Sequence, residues 1–253
     1  MPRRSFSGTL AASVFSCAVL LAVWQAAAAA AGSPLVLPSP LDTCRALAVF
    51  VRERSFWLHV GSTALRSVCA FAFAVCAGFI AGLLSALHPR VHTFMQFPLA
   101  LIRCTPVVSF ILAAIFWFGS SAVPVFAAFI MCLPVMTDAV YKGACSSDVR
   151  LLEMARVYGL SPARIVRCIR VPSALPYVLA GMLSCFGLSW KVCAAGEVLT
   201  LPKWGTGTLL QGAKVHLNTD QVFAVTLVIA AASFTAERLL WGVFSLWRAR
   251  RGS

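Results

Sequence analysis

The chain has 253 residues, of which 60% are hydrophobic and 11% charged, and its formal net charge is +13. A mean hydropathy of +0.87 and several long uncharged runs exclude an ordinary soluble domain and are typical of an integral membrane protein. The basic residues flank the apolar runs and do not cluster on a soluble face, so the positive charge does not indicate nucleic-acid binding.

Six apolar stretches are long enough to cross a bilayer, whose hydrocarbon core of about 30 Å takes about 20 helical residues. The alternating pattern of barrel strands is absent, so we predict an all-α membrane protein. The short stretch "FGSSAVP" makes the third and fourth spans a helical hairpin. The predicted spans are about residues 8–31, 60–87, 95–118, 122–142, 177–199 and 221–247.

The first span has two interpretations. "MPRR", an apolar run and "AAAAAAGSP" fit a retained transmembrane helix, but they also fit a secretory signal with a small-residue cleavage site. Composition alone leaves both open. Cleavage would remove one span and leave the topology of the others unchanged.

The distribution of Lys and Arg predicts the orientation. With both termini in the cytoplasm, thirteen lie in inner segments and five in outer segments, as the positive-inside bias requires. The inner residues are Arg3, Arg4, Arg90, Lys142, Arg150, Arg156, Arg164, Arg167, Arg170, Arg238, Arg248, Arg250 and Arg251. The outer residues are Arg45, Arg52, Arg54, Lys203 and Lys214.

A basic segment between the fourth and fifth spans therefore lies in the cytoplasm. Its first part places Leu151, Ala155 and Tyr158 on one face of a predicted helix. Glu153 lies three residues from an arginine on either side, so local pairing is expected. Gly159 can adopt the left-handed or open backbone conformation that ends a helix, which favours an elbow at that position.

A second short helix is predicted after the elbow. Ser161 suits an N-cap and Pro162 suits the first helical position. Three arginines spaced by three residues then follow one side, and prolines separate this helix from the fifth span. An amphipathic segment that binds anionic lipid is the alternative interpretation of this pattern.

The spacing within this segment resembles the EAA signature of ABC-transporter permeases. "EMARVYG", nine residues and "IRVP" match its order of Glu, Ala, Gly, Ile and Pro. Met154 replaces the usual second Ala, and Val171 replaces the usual Leu. The matching residues are Glu153, Ala155, Gly159, Ile169 and Pro172.

Other segments resemble the nitrate/sulfonate/taurine/bicarbonate branch of these permeases in the expected order. They are "LPSP", which favours a retained first span, and "ALRSVCAFAFAVCAGFIAGLLSAL", "LIRCTPVVSFILAAIFWFG", "SWKVCAAGEVL" and "TDQVFAVTLVI". The resemblance implies a type I ABC importer permease fold with six transmembrane helices. It divides the chain into residues 1–55, a helix with an outer lead segment, and residues 56–248, the transmembrane domain with a coupling loop at 143–176.

The resemblance also implies a function and an assembly. The chain would be the permease subunit of an ATP-driven importer in the bacterial cytoplasmic membrane, working as a homodimer with two cytoplasmic ATPases. An extracytoplasmic binding protein would deliver a nitrate-, sulfonate- or taurine-like solute to outer loops that include residues 200–220. Import of thiamine or a thiamine-pyrimidine precursor is the alternative, because the sequence does not identify the substrate.

We expect no catalytic residue and no cofactor in this chain. It has no GxxxxGK[ST] motif, so ATP and Mg would be bound by the partner ATPase. The resemblance assigns docking on that ATPase to the coupling loop, in which Leu151 and Ala155 would fill its groove. The candidate coupling residues are Leu151, Glu153, Ala155, Gly159, Ile169 and Pro172.

Charged residues within spans are candidates for lining a pathway, because they are costly in lipid. Arg103, Lys191 and Glu197 are the candidates, and structural pairing is the alternative role for each. Arg66 is expected to reach the outer interface by snorkelling.

Two other classes of protein remain as distant alternatives. Ten cysteines and four histidines raise the possibility of an intramembrane redox protein, but they form no CxxC pair. A stand-alone channel would have no use for an ATPase-docking loop.

Overall fold

A computed structural model describes residues 6–251, with side chains for residues 14–245 apart from Arg156 and Val243. Every regular element in that part of the chain is helical. The inner cations Arg3 and Arg4 lie outside the described residues, as do the side chains of the last three arginines. The helices are α1 (Phe6–Ala31), α2 (Pro40–Phe50), α3 (Arg54–Leu87), α4 (Pro89–Cys104), α5 (Val107–Ile115), α6 (Val123–Cys145), α7 (Val149–Val157), α8 (Pro162–Ile165), a π-helical turn (Val166–Arg170), α9 (Val171–Thr200), α10 (Thr206–Val215) and α11 (Thr219–Arg251).

Five helical stretches of the described chain are long and apolar enough to cross a membrane, and α4 with α5 gives a sixth, bent one. They coincide with the six predicted spans, although α3 begins at Arg54 and α9 at Val171, several residues earlier than expected. The first two residues of α3 are Arg54 and Ser55, which hydropathy does not mark as part of a span. The early start of α9 reflects helical backbone that continues through Pro172.

The third span differs from the prediction, because it is broken rather than straight. α4 and α5 meet at an angle of 93°. Thr105 has φ −82° and ψ 130°, and Pro106 follows it as the N-cap of α5. A residue before proline is driven from the α region into extended backbone, so the sequence "TP" ends α4.

The chain separates into two compact units. One comprises the residues up to Leu58 together with Leu209–Val228, and the other comprises His59–Thr208 and the residues from Ile229 onward. The predicted boundary at residue 56 follows the family resemblance and stays a prediction.

Small residues let the spanning helices of the larger unit approach closely, as is usual where lipid supplies no hydrophobic driving force between helices. A Cβ on Gly78 would lie 2.7 Å from Met136 Cβ, and one on Gly82 would lie 2.6 Å from the Thr137 carbonyl oxygen. The two glycines are four residues apart on α3 and face α6. Cys132 and Cys185 exchange thiol-to-carbonyl hydrogen bonds of 3.3 and 3.5 Å between α6 and α9.

The smaller unit ties α1 to the segment that follows it. Trp24 Nε1 donates to the Pro38 carbonyl at 3.1 Å, and its ring stacks on Phe223 with centroids 5.8 Å apart. Thr219 Oγ1 donates to the Pro34 carbonyl at 2.7 Å. α1 therefore holds the "LPSP" segment at Pro38, and the start of α11 holds the chain just before it at Pro34.

Candidate functional site

The EAA-like segment begins with a capped amphipathic helix. Asp148 Oδ1 accepts a hydrogen bond from the Arg150 amide at 2.9 Å, which satisfies one free N–H at the start of α7. At its other end Gly159 has φ +68°, and the Leu160 amide donates to the Ala155 carbonyl at 3.0 Å. This is the Schellman arrangement that ends helices at a left-handed glycine. The elbow predicted at Gly159 is therefore present.

The second half of the segment is more continuous than predicted. Ser161 is the N-cap of α8 and Pro162 occupies its first turn, as expected. The chain then passes through the π-helical turn into α9 without leaving right-handed backbone. Pro172 is the second residue of α9, and right-handed helical backbone continues past it, so it does not break the chain.

Exposure divides the candidate coupling residues into two groups. Glu153 is exposed, and Leu151 has 45% of its surface exposed. Ala155 has only 2% exposed, so its expected role in filling an ATPase groove is wrong for this conformation. The helix turns that residue toward the permease itself. Val157 and Tyr158 are 86% and 76% exposed, and they form part of the exposed apolar surface of this segment.

Ile169 and Pro172 lie where the segment joins α9, and the intervening Arg170 anchors that junction. Arg170 Nη1 donates to the Ala86 carbonyl at 2.7 Å. Ala86 is in the last turn of α3, whose free carbonyls favour a cation. Among the described side chains Glu153 forms no ion pair, and the side chain of its expected partner Arg156 is outside that set.

Glu197 on α9 is fully buried at the centre of a polar cluster. Its carboxylate forms an ion pair with Arg66 on α3, with Nη1 2.6 Å from Oε1. Thr63 Oγ1 donates to it at 2.8 Å, and the Gly207 amide donates to Oε2 at 3.0 Å. The Thr206 amide donates to Thr63 Oγ1 at 2.9 Å, which closes the cluster.

We expected Arg66 to snorkel to the outer interface. It does not, because the carboxylate of Glu197 lies within reach. Its side chain is 13% exposed and also donates to the Trp204 carbonyl at 2.7 Å. The partner carboxylate is 131 residues away in the sequence, so no local pattern indicates the pair. This pairing favours the structural role that was the alternative for Glu197, and its role in the pathway stays a prediction.

The "WGTG" motif is part of this cluster. A Cβ on Gly205 would lie 2.6 Å from the Glu197 carboxylate carbon, and one on Gly207 would lie 2.6 Å from Glu197 Cβ. Only glycine fits so close to the carboxylate. His59 Nδ1 lies 2.8 and 2.9 Å from the carbonyl oxygen and amide nitrogen of Gly205, and its ring meets Trp204 edge-on.

The other two candidate pathway residues are accessible. Arg103 is paired with Asp138 on α6 at 2.7 Å, and their side chains are 48% and 37% exposed. Lys191 is exposed, whereas the next three residues of α9 are buried. The structure does not bring Arg103, Lys191 and Glu197 together into one site.

The described part of the chain is thus a helical membrane protein, with buried and accessible charges in its spanning helices and an amphipathic elbow segment between two of them. The family model for the inner membrane component of binding-protein-dependent transport systems matches residues 74–240. The chain belongs to this family and is a multi-pass inner-membrane permease of an ABC importer, which works with an ATPase and a binding protein.

Three relatives match most of the chain. It is 29% identical to the taurine transport system permease protein TauC of Escherichia coli K12, over 89% of this chain and 84% of TauC. It is 28% identical to the putative aliphatic sulfonates transport permease protein SsuC of the same organism, over 86% and 83%. It is 24% identical to the formylaminopyrimidine transport permease protein ThiX of Halalkalibacterium halodurans, over 92% and 94%.

Solved structures share the fold. An amino acid ABC transporter chain superposes with a TM-score of 0.60 at 20% identity, over 76% of this chain and 94% of that chain. An inward-facing chain of the MetNI methionine ABC transporter gives 0.54 at 16% identity, over 78% and 96%. The type I importer permease fold expected from the sequence is confirmed.

Proposed function

We propose that this permease imports a small organic sulfonate, of which zwitterionic taurine and the anionic short aliphatic sulfonates are the nearest examples. The observation that carries the proposal is the match to TauC over 89% of this chain and 84% of that protein. The match to SsuC over a similar share supports the same chemical class. A nitrate-like anion belongs to the same proposal, because it presents similar oxygen atoms to the protein.

A thiamine-pyrimidine precursor is the second candidate substrate. The match to ThiX extends over 92% of this chain and 94% of that protein, which is the broadest coverage among the three relatives. A formylaminopyrimidine is neutral, so basic residues of a pathway would not attract it as they would attract a sulfonate group.

The working unit in this proposal is a homodimer with two ATPase subunits. Lys191 supports the dimer, because an exposed cation in a spanning helix is costly in lipid unless it meets water or protein. A pathway between two copies would give Lys191 an aqueous surface, and Arg103 would line its inner part. ATP and Mg would be bound by the ATPases alone, so this chain would hold no cofactor and catalyse no reaction.

Coupling to the ATPase is assigned to the exposed side of α7. Leu151, Glu153 and Tyr158 would contact the ATPase, while Gly159 would hold the elbow in its left-handed conformation. Ala155 would act from inside, by fixing α7 against the permease. Ile169 and Pro172 would carry the movement into α9, since helical backbone connects them without a break.

The orientation in this proposal follows the thirteen-to-five distribution of Lys and Arg, with both termini in the cytoplasm. The segment between α9 and α11 would then face outward and receive the binding protein. A retained first span is favoured by the contacts that hold Trp24 to Pro38 and Phe223.

Uptake into proteoliposomes tests the substrate class. The permease, co-purified with its ATPase and supplied with its binding protein, is assayed for ATP-dependent uptake of labelled taurine, ethanesulfonate and formylaminopyrimidine. We expect uptake of a sulfonate. Uptake of the pyrimidine alone would favour the second candidate, and a complex that hydrolyses ATP but accumulates none of the three would contradict both.

A further inference from the structure

A cavity of about 260 Å³, lined by several polar side chains, lies in the larger unit between α4, α6 and the end of α3. His92, Gln96, Leu99 and Arg103 reach it from one face of α4. Their spacing of three and four residues keeps them on that face. Drug-sized ligands occupy pockets of about 300–1,000 Å³, so this volume suits a smaller solute.

The charges that line the cavity are unbalanced. Arg103 and Lys142 are cationic, and Asp138 is the one acidic residue among the lining side chains. Asp138 compensates Arg103 at 2.7 Å, which leaves Lys142 as an excess positive charge. Lys142 is exposed at the edge of the cavity, and a cleft with an excess of one sign of charge attracts counter-ions, so one monoanion would balance the cavity.

The neutral lining residues offer hydrogen bonds for the oxygen atoms of such an anion. Gln96 Nε2 lies 2.9 Å from His92 Nε2, and the His92 ring stacks on Tyr141 with centroids 3.9 Å apart. These contacts hold polar groups of α4 and α6 side by side. Ser85 is 4% exposed, and its Oγ has no hydrogen-bond partner among the described residues, although buried hydroxyls ordinarily have one.

An apolar part of the lining completes the site. Met95 and Leu99 lie on α4 beside the polar residues, and Leu99 is 7% exposed. The cavity thus combines a cationic end, hydrogen-bonding side chains and a short apolar wall. A purely structural ion pair would need only Arg103 and Asp138 in contact, without an open volume or a second cation.

We infer that this cavity is a binding site for a small aliphatic monoanion, with Lys142 and Arg103 holding its charged head. Asp138 positions Arg103, Gln96 and Ser85 donate hydrogen bonds, and Met95 and Leu99 contact the alkyl part. The inference rests on the proposed function, because it places one binding site for the transported sulfonate-like solute inside the permease. It also assigns part of the selection to this chain and not only to the binding protein.

Direct binding of labelled ethanesulfonate tests the site without the binding protein. The full permease–ATPase complex is placed in nanodiscs of phosphatidylcholine, and binding is measured for the wild type, Lys142→Gln and Arg90→Gln. Arg90 is an exposed cation at the start of α4 that does not line the cavity, so Arg90→Gln is the matched control. Basal ATPase activity reports the integrity of each complex.

We expect saturable binding to the wild type that unlabelled ethanesulfonate displaces and the neutral isostere ethanesulfonamide does not. Lys142→Gln should weaken binding by about tenfold, the loss typical of one charge-assisted contact, and Arg90→Gln should bind as the wild type does. Equal binding by both variants, or none to the wild type, would overturn the site. So would loss of binding when phosphatidylglycerol is included in the nanodiscs, since a lipid headgroup would then be the occupant.

The proposed function can fail separately. Uptake of a sulfonate with no binding in nanodiscs would leave the import proposal intact and remove this site. Binding in nanodiscs without uptake would keep the site and contradict the proposed transport of sulfonates.

Discussion

Two groups of charged residues within the spans are built differently, although both pair an arginine with an acid. Arg66 and Glu197 are buried together, and hydroxyl and amide groups supply further hydrogen bonds to the carboxylate. Arg103 and Asp138 are about half and one third exposed, and they border a cavity with an additional cation. A fully satisfied, buried pair holds helices in place, whereas an accessible pair beside open volume is available to a ligand.

Glu197→Gln should have the largest effect on stability. It leaves the Arg66 guanidinium buried without a counter-charge, which costs about 3–5 kcal/mol when one partner of a buried pair is removed. Thermal unfolding of the purified protein in detergent measures the loss. Glu53→Gln, at an exposed acid, is the control.

The double variant Arg66→Met with Glu197→Gln separates the charge from the shape of the site. Removing both charges should recover at least half of the stability lost by Glu197→Gln alone. A double variant that is less stable than either single variant would contradict a paired role for Arg66.

Gly207→Ala should be the next most disruptive change. The added methyl meets the Ala194 carbonyl and Glu197 Cβ, and overpacking of this kind costs about 1–3 kcal/mol. Gly212→Ala is the matched control on α10, because a Cβ there meets nothing within 4 Å. It should be neutral or stabilising by about 0.4–1 kcal/mol in the same melting experiment. Equal effects of the two changes would contradict the close fit around the carboxylate.

Arg170→Gln tests the anchor between the coupling segment and α3. Loss of a charged hydrogen bond to the Ala86 carbonyl should cost about 1–2 kcal/mol. Arg167→Gln, an exposed neighbour in the same π-helical turn, should change the melting temperature little. Hydrogen exchange at the end of α3 should increase only in the first variant.

Tyr158→Ala should leave stability almost unchanged and weaken the contact with the ATPase. Its side chain is 76% exposed, and surface changes are usually within about 0.5 kcal/mol. Ala155→Leu, three residues earlier and buried, should instead lower the melting temperature. Co-purification of the ATPase and thermal unfolding are measured on both variants. If our assignment of the two residues were wrong, Tyr158→Ala would lower the melting temperature and Ala155→Leu would weaken binding of the ATPase.

More of the fold than of the candidate sites could be predicted from the sequence. The six spans and the Gly159 elbow follow from hydropathy and from local backbone chemistry, which neighbouring residues determine. The 93° break of the third span is local as well, since Thr105 precedes Pro106, but a continuous apolar run conceals it.

The roles of Arg66 and Ala155 could not be predicted, because both depend on distant packing. Arg66 acquires its partner from a helix 131 residues away. The periodicity of α7 predicts that Ala155 shares a face with Leu151, but it does not show that Ala155 is buried while Leu151 stays partly exposed. The signal that was available for Glu197 was its position beside "WGTG", whose glycines admit a carboxylate at a helix start.

Substrate-stimulated ATPase activity of the reconstituted complex tests the central claim that the exposed side of α7 couples this permease to its ATPase. We predict that Glu153→Lys inserts and melts as the wild type does, because Glu153 is exposed, yet loses stimulation by the loaded binding protein. Normal stimulation in Glu153→Lys, with the wild-type amount of bound ATPase, would contradict the claim.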